Sequence, residues 1–316
     1  MATISVPRAA RPTLWARIVR FFSDQRKWAP YLFIAPFFIT FALFTLYPLL
    51  RAVLMAFQES LGYGDEWEWV GLANFAEAFT NDGRLQSAFR NALLYALGSI
   101  VTQLPVAFGL ALLLTSRFIK SRGLLRTLFY VPVALPGLTM GAIGAWFFNK
   151  DRGFANALLM QFGADRIDWL GFPQFVLPMM LTLAFWSYVG SHVVYFIAGI
   201  TGVDPSIEEA AIVDGANLWQ RIWHVLLPLL RPVIAYMTIT MTAGSLMIYE
   251  VTLMLYNNGD GGGPGGRGWF LVPYITWLSF NQLRLGYATA IGWMVFAVSV
   301  GLTVLQLKLY RFGEVD

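Results

Sequence analysis

Residues 202–228 read Gly202-Val203-Asp204-Pro205-Ser206-Ile207-Glu208-Glu209-Ala210-Ala211-Ile212-Val213-Asp214-Gly215-Ala216-Asn217-Leu218-Trp219-Gln220-Arg221-Ile222-Trp223-His224-Val225-Leu226-Leu227-Pro228. This order predicts two short helices around a glycine. Asp204 is a good N-cap and Pro205 suits the first helical position. Ser206 with Glu209 forms an alternative capping box. Glu208 and Glu209 fall where the helix dipole favours negative charge. Gly215 permits a left-handed residue and a sharp turn. Asn217 can cap the second helix, with Gln220 three residues on. Ala210 and Ala211 lack bulk, so another protein can approach this backbone closely. Leu218, Trp219, Ile222 and Trp223 make an apolar face. These residues alone fit two elements: an amphipathic pair lying on a membrane surface, or a docking site for a partner.

The flanks of this segment are apolar runs, 174–199 and 229–255. Four more runs are long enough to span a bilayer, which takes about 20 apolar residues. They are 29–51, 91–115, 124–148 and 286–309. Composition agrees. The chain has 316 residues, 57% hydrophobic and 13% charged, with mean hydropathy +0.59. Soluble domains carry roughly 25% charge, so this chain is read as an all-α integral membrane protein of six transmembrane helices. The first run is longer than a signal-peptide core and ends without a small-residue cleavage site, so it is read as retained. The domain reading is a basic tail over 1–28, a six-helix transmembrane body over 29–309 with the 200–228 loop, and a C-terminal segment over 310–316.

Basic residues set the orientation. Placing the N-terminus inside puts 14 of the 22 Lys and Arg on the cytoplasmic side. Six of them, Arg8, Arg11, Arg17, Arg20, Arg26 and Lys27, precede the first span. Both termini are therefore expected in the cytoplasm. The basic balance reports membrane orientation and calls for no nucleic acid. The expected outer loops are 52–90, 149–173 and 256–285. Trp28, Trp146, Trp169, Trp269 and Trp277 fall near span ends, as interfacial aromatics do.

The pattern Glu209-Ala210-Ala211, three residues, Gly215, nine residues, then Val225-Leu226-Leu227-Pro228 resembles the EAA motif of ABC-importer permeases. The fuller stretch through Asp214 and Ala216, with Pro228 and Pro232, resembles the carbohydrate-uptake branch of maltose and glycerol-3-phosphate type. Val225 and Ile222 depart from the usual Ile and Phe, both apolar exchanges. Val70 to Phe75, Gly263-Pro264 and Leu285 to Ala290 resemble outer segments of the same branch. The resemblance implies the type I importer permease architecture. It implies a pathway subunit in a bacterial or archaeal cytoplasmic membrane. The expected partners are a second, homologous permease (a heterodimer), two ATP-binding subunits and an extracytoplasmic binding protein. Glu208, Glu209, Ala210, Ala211, Asp214, Gly215, Ala216, Leu227 and Pro228 would couple the chain to the ATPase. ATP and Mg would be held by that subunit, and no cofactor is expected in this chain.

Polar residues inside spans are functional candidates. Thr238, Thr242, Ser245, Tyr249 and Thr252 form one stripe at helical spacing, and Tyr188, His192 and Tyr195 share a face of another span. Tyr188, His192, Thr242, Ser245 and Tyr249 are the candidate path-lining residues. Hydroxyls and rings suit a sugar, whereas interhelical hydrogen bonding accounts equally well for the Ser and Thr residues. His192 alone reads as a packing group. Glu250 reads as a rim residue near the outer end. Gly137, Gly141 and Ala145 read as a close-packing stripe that a partner permease could use.

Other functions find less support. The chain lacks Cys and has only two His, His192 and His224, too far apart for a local metal site. No P-loop, G-x-S-x-G or H-E-x-x-H motif occurs, so no catalytic residue is expected. Gly261-x-Gly263-x-x-Gly266 follows a span instead of a strand and reads as a loop. The leading expectation is a sugar importer permease for a mono- or oligosaccharide or a related polyol or sugar phosphate. An amino-acid or peptide importer is the alternative, and a secondary transporter the more distant one.

Overall fold

The structure, a computed structural model, describes residues 13, 15, 25–60, 66–116, 119, 121–256 and 262–310. Arg8, Arg11, Arg17 and Arg20 of the basic tail, Arg117, Lys120, Arg311 and the Gly-rich start at 259–261 lie outside the described residues. So do the expected C-terminal residues beyond 310. The chain divides into two compact units, Met1–Leu54 and Met55–Asp316.

In the first unit, α1 (Gln25–Phe41) runs through a π-helical turn (Ala42–Leu46) into α2 (Tyr47–Met55). Trp28–Met55 is long and apolar enough to cross a membrane. Pro30 and Pro36 lie inside α1. The Thr40 hydroxyl donates to the carbonyls of Pro36 and Phe37. Phe33, Phe37 and Phe44 are exposed.

The second unit opens with a two-residue hairpin, β1 (Gln58–Glu59) antiparallel to β2 (Glu68–Trp69). There follow α3 (Ala73–Thr80), α4 (Gly83–Thr115), α5 (Arg122–Tyr130), α6 (Gly137–Phe147), α7 (Phe154–Gln161) and α8 (Val176–Thr201). Next come α9 (Pro205–Val213), α10 (Leu218–Gln220), α11 (Leu227–Leu229), α12 (Arg231–Leu246) and α13 (Glu250–Leu255). The last two are α14 (Leu271–Phe280) and α15 (Leu285–Leu309). α4 lies along α8 because its small residues Ala88, Ala92, Ala96, Ala107 and Ala111 are buried on one face. Small side chains let helix backbones approach without a hydrophobic drive from water. Gly190 of α8 permits a second close approach, since a Cβ there would meet the Phe129 carbonyl.

Across the described residues, four helices are long and apolar enough to span a membrane, or six if each bent pair counts as one. Two expected spans differ from continuous helices. The run 124–148 is bent by 96° between Arg122–Ala134 and Gly137–Phe147. Leu135 is extended before Pro136, as a residue preceding proline tends to be. The run 229–255 also breaks. α12 stops at Leu246, Tyr249 leaves helical geometry (φ −141°, ψ −62°), and α13 begins at Glu250. A further 66° bend separates Leu218–Leu229 from α12, at Leu230 beside Pro228 and Pro232.

The segment 256–285, expected as a loop, contains α14 and a buried aromatic group. Trp269 is 3% exposed and packs edge-on to Tyr274 and Trp277. It is therefore a core residue, in contrast to its expected interfacial role, while Trp146 is exposed. α14 packs on α4 and α15. Two polar centres hold this end together. Asp82 caps α4 by accepting from the Leu85 amide, and its other oxygen accepts from the hydroxyls of Tyr274 (2.7 Å) and Tyr287 (2.6 Å). Arg284, just before α15, pairs with Glu77 and Glu59 and lies over the Tyr287 ring at 4.5 Å.

Candidate functional site

The segment around Gly215 forms as its sequence predicts. The Asp204 side chain accepts from the Ser206 amide at 2.9 Å, so Asp204 is the cap. Gly215 has φ +82°. Its amide bonds the Ile212 carbonyl, and the Ala216 amide bonds the Ala211 carbonyl. That is the paired closure of a Schellman turn, which needs a left-handed residue at Gly215. Asn217 and Gln220 exchange side-chain and backbone hydrogen bonds at 2.8 and 2.9 Å, a complete capping box. The Arg221 guanidinium pairs with the Glu208 carboxylate across the turn. Arg221–Leu226 then winds as π-helix into α11.

The surface of this segment is open. Glu208, Glu209, Ala210, Asp214 and Gly215 are exposed, Ala211 and Ala216 are half-buried, and Leu227 and Pro228 are half-buried where the chain turns into α12. Val213 is 86% exposed, and Leu218, Trp219 and Trp223 project beside it.

The second feature is a cavity of about 530 Å³ among α4, α6, α8, α12 and α13. Tyr188, His192, Ser245 and Tyr249 line it, as do Tyr195, Ser187 and Ser191. Thr242 does not. It is buried, donates to the Thr238 carbonyl, and accepts from the Gln306 amide of α15 at 2.8 Å. Thr238 and Thr252 are buried away from the lining as well. The expected single stripe thus divides within α12 itself, where Thr242 meets Gln306 of α15 while Ser245 lines the cavity, and the break at 247–249 separates Thr252 from both.

Several lining residues were not anticipated: Tyr95, Ser99 and Gln103 from α4, and Tyr236 and Thr240 from α12. Gln103 was findable, because a Gln in mid-span is a functional candidate by the same rule that selected the other polar residues. Its Oε1 and the His192 Nδ1 are buried without a hydrogen-bond partner. Tyr195 and Tyr236 meet edge-to-face at 5.4 Å. Glu250 is exposed and lines the cavity. The Gly137 and Gly141 stripe packs within this chain. A Cβ at Gly141 would meet Met254 and Val251 of α13.

At the α3 end, the two carboxylates around Arg284 shift in opposite directions. Hydrogen bonding to Arg284 holds the Glu77 carboxyl below the usual carboxylate range. Burial pushes Glu59 above it, against the attraction of the same Arg284. Its hydrogen bond to Glu77 makes the Arg284 guanidinium harder to deprotonate.

Apolar helices of membrane-spanning length, two of them bent, mark a multi-pass integral membrane protein. Residues 103–312 match the family described as "Binding-protein-dependent transport system inner membrane component", and the chain belongs to that family. It is therefore a permease subunit and not an enzyme. Over 305 residues it is 31% identical to the arabinooligosaccharides transport system permease protein AraP of Bacillus subtilis, covering 96% of this chain and 94% of that one. It is 28% identical over 292 residues to the lactose transport system permease protein LacF of Rhizobium radiobacter, covering 91% and 95%. The fold matches a crystal structure of a bacterial ABC transporter that imports the acidic polysaccharide alginate. There the TM-score is 0.80 at 24% identity, over 94% of this chain and all of that one.

Proposed function

We propose that this chain forms half of the translocation pathway of an ATP-driven importer for a mono- or oligosaccharide or a related polyol or sugar phosphate. The observation that carries the substrate class is the cavity, whose lining is rich in tyrosine rings and hydroxyls from α4, α8 and α12. Aromatic faces and hydroxyls suit the alternating apolar and polar faces of a sugar ring. The names of the relatives support it, since arabinooligosaccharides and lactose are saccharides. Tyr188, His192, Ser245 and Tyr249 are the path residues in this reading, and Thr242 serves by fixing α12 to α15.

Coupling runs through 204–228. Glu208 and Glu209 on α9, with Asp214 and Gly215 in the turn after it, present a polar, exposed side to a separate ATPase. Ala210, Ala211 and Ala216 allow close packing there, and Leu227 with Pro228 passes the movement to α12. ATP and Mg belong to that subunit. A second permease, two ATPase subunits and an extracytoplasmic binding protein complete the assembly, in a cytoplasmic membrane with both termini inside. Rigid-body switching of this kind needs two discrete packings.

The test is uptake in cells carrying the full transporter, with a panel of labelled sugars, amino acids and peptides. Uptake of a saccharide that survives a protonophore and stops on ATP depletion is expected. Uptake of an amino acid or peptide alone, or collapse under the protonophore with ATP intact, overturns the reading.

A further inference from the structure

Among the described residues that line the cavity, Glu250 is the only Asp or Glu, and no Lys or Arg joins it. Two chain interruptions meet at this side chain. α13 starts at Glu250 after the break at 247–249, and Gly137 starts α6 beyond the 96° bend. A Cβ at Gly137 would meet the carboxyl group and the Cβ of Glu250. The acidic side chain therefore rests directly on a glycine, between two interrupted helices. In secondary transporters, a different class, interruptions of this kind surround substrate sites.

The rest of the lining has no cation to balance it. Ser187, Ser191 and Ser245 donate their hydroxyl protons to carbonyls of their own helices, so they face the cavity as acceptors. Gln103 Oε1 is a further buried acceptor without a partner. The serines, Gln103 Oε1 and one carboxylate offer acceptors, and the tyrosine hydroxyls can donate or accept, so the lining suits a guest that brings hydroxyl groups. A uronate or phosphate brings acceptors and a like charge. A like charge brought against this carboxylate is repelled, an effect that solvent at the exposed Glu250 weakens without removing.

We propose that Glu250 is a charge-selecting residue of the pathway. It accepts hydroxyl protons from neutral saccharides and disfavours acidic and phosphorylated ones. The proposal rests on the sugar-import reading and narrows it, removing sugar phosphates from the substrate class.

The experiment uses the complete transporter in nanodiscs without its binding protein, so that only the pathway selects. Methyl β-glucoside and methyl β-glucuronide, which share a ring and differ by the C6 carboxylate, are titrated by saturation-transfer NMR. The wild type is expected to bind the glucoside about tenfold or more tightly than the glucuronide. Glu250→Gln should close most of that gap, and Glu250→Asp should keep it. Melting curves of both variants establish that they are folded. Should Glu250→Gln not fold, the Asp variant and the wild-type ratio still decide. Equal binding of the two glycosides to the wild type overturns the charge filter, as does an unchanged ratio in a folded Glu250→Gln protein or a lost ratio in Glu250→Asp. Binding of neither glycoside overturns the filter alone, because the sugar reading stands or falls on the uptake panel.

Discussion

The Glu77 carboxylate receives both terminal nitrogens of Arg284, at 2.6 and 2.8 Å, across 207 residues of chain. This two-point pair joins α3 to the start of α15. Glu77 titrates below its ordinary value of 4.5. Its stabilising share is therefore fully present above that value and lost as pH falls through the lowered one. Glu59 has the opposite sign, because burial raises it and its charged form is the one disfavoured on folding. Glu77→Gln should lower stability at neutral pH by about 1 kcal/mol, a modest figure because the pair is partly solvated. The gap to wild type should close on acidification. Melting curves across pH check this, and a gap that grows toward acid would contradict it.

Asp82 is a stricter case. It is buried, caps α4 and serves two tyrosine hydroxyls. Asp82→Ala removes the cap, worth about 1 kcal/mol, and leaves both hydroxyls without their charged acceptor, about 1.5–3 kcal/mol more. Tyr274→Phe should cost less, since Asp82 keeps its other partners. Denaturation of the purified proteins orders the two variants.

Gly215 tests backbone geometry apart from packing. No atom would obstruct a Cβ there, but its φ of +82° is unfavourable to a branched side chain. Gly215→Val should leave insertion and folding intact and sharply reduce ATP-coupled uptake, while Gly215→Asn, which tolerates left-handed geometry, should keep more of it. Equal uptake by Gly215→Val and wild type would detach this turn from coupling.

Gly141 tests packing apart from backbone. A side chain there meets Met254 Cβ at 2.6 Å and the Val251 backbone. Gly141→Val should destabilise by about 1–3 kcal/mol through overpacking. Gly109→Ala, in open space within α4, should be neutral. Thermal unfolding of the two variants separates the cases.

Much of this was legible along the chain. Apolar runs located the spanning segments because a bilayer demands about 20 apolar residues regardless of the neighbours. The caps at Asp204 and Asn217 and the turn at Gly215 were legible because such signals act within a few residues. The 10-residue helix α14 was missed because it is too short to register as a span, and its stability comes from packing on α4 and α15.

The sequence alone determined the membrane class, the approximate position of the apolar segments and the local form of 204–228, all of which depend on near neighbours or on average polarity. Tertiary structure decided where the third and fifth segments break. Proline and glycine are tolerated in membrane helices whenever packing satisfies the freed backbone groups. Packing also decided that Thr242 bonds Gln306, that Gly141 receives α13, and that Glu250 faces the cavity beside Gly137. Such outcomes depend on which distant helix arrives at a given face, and periodicity along one helix carries no record of that.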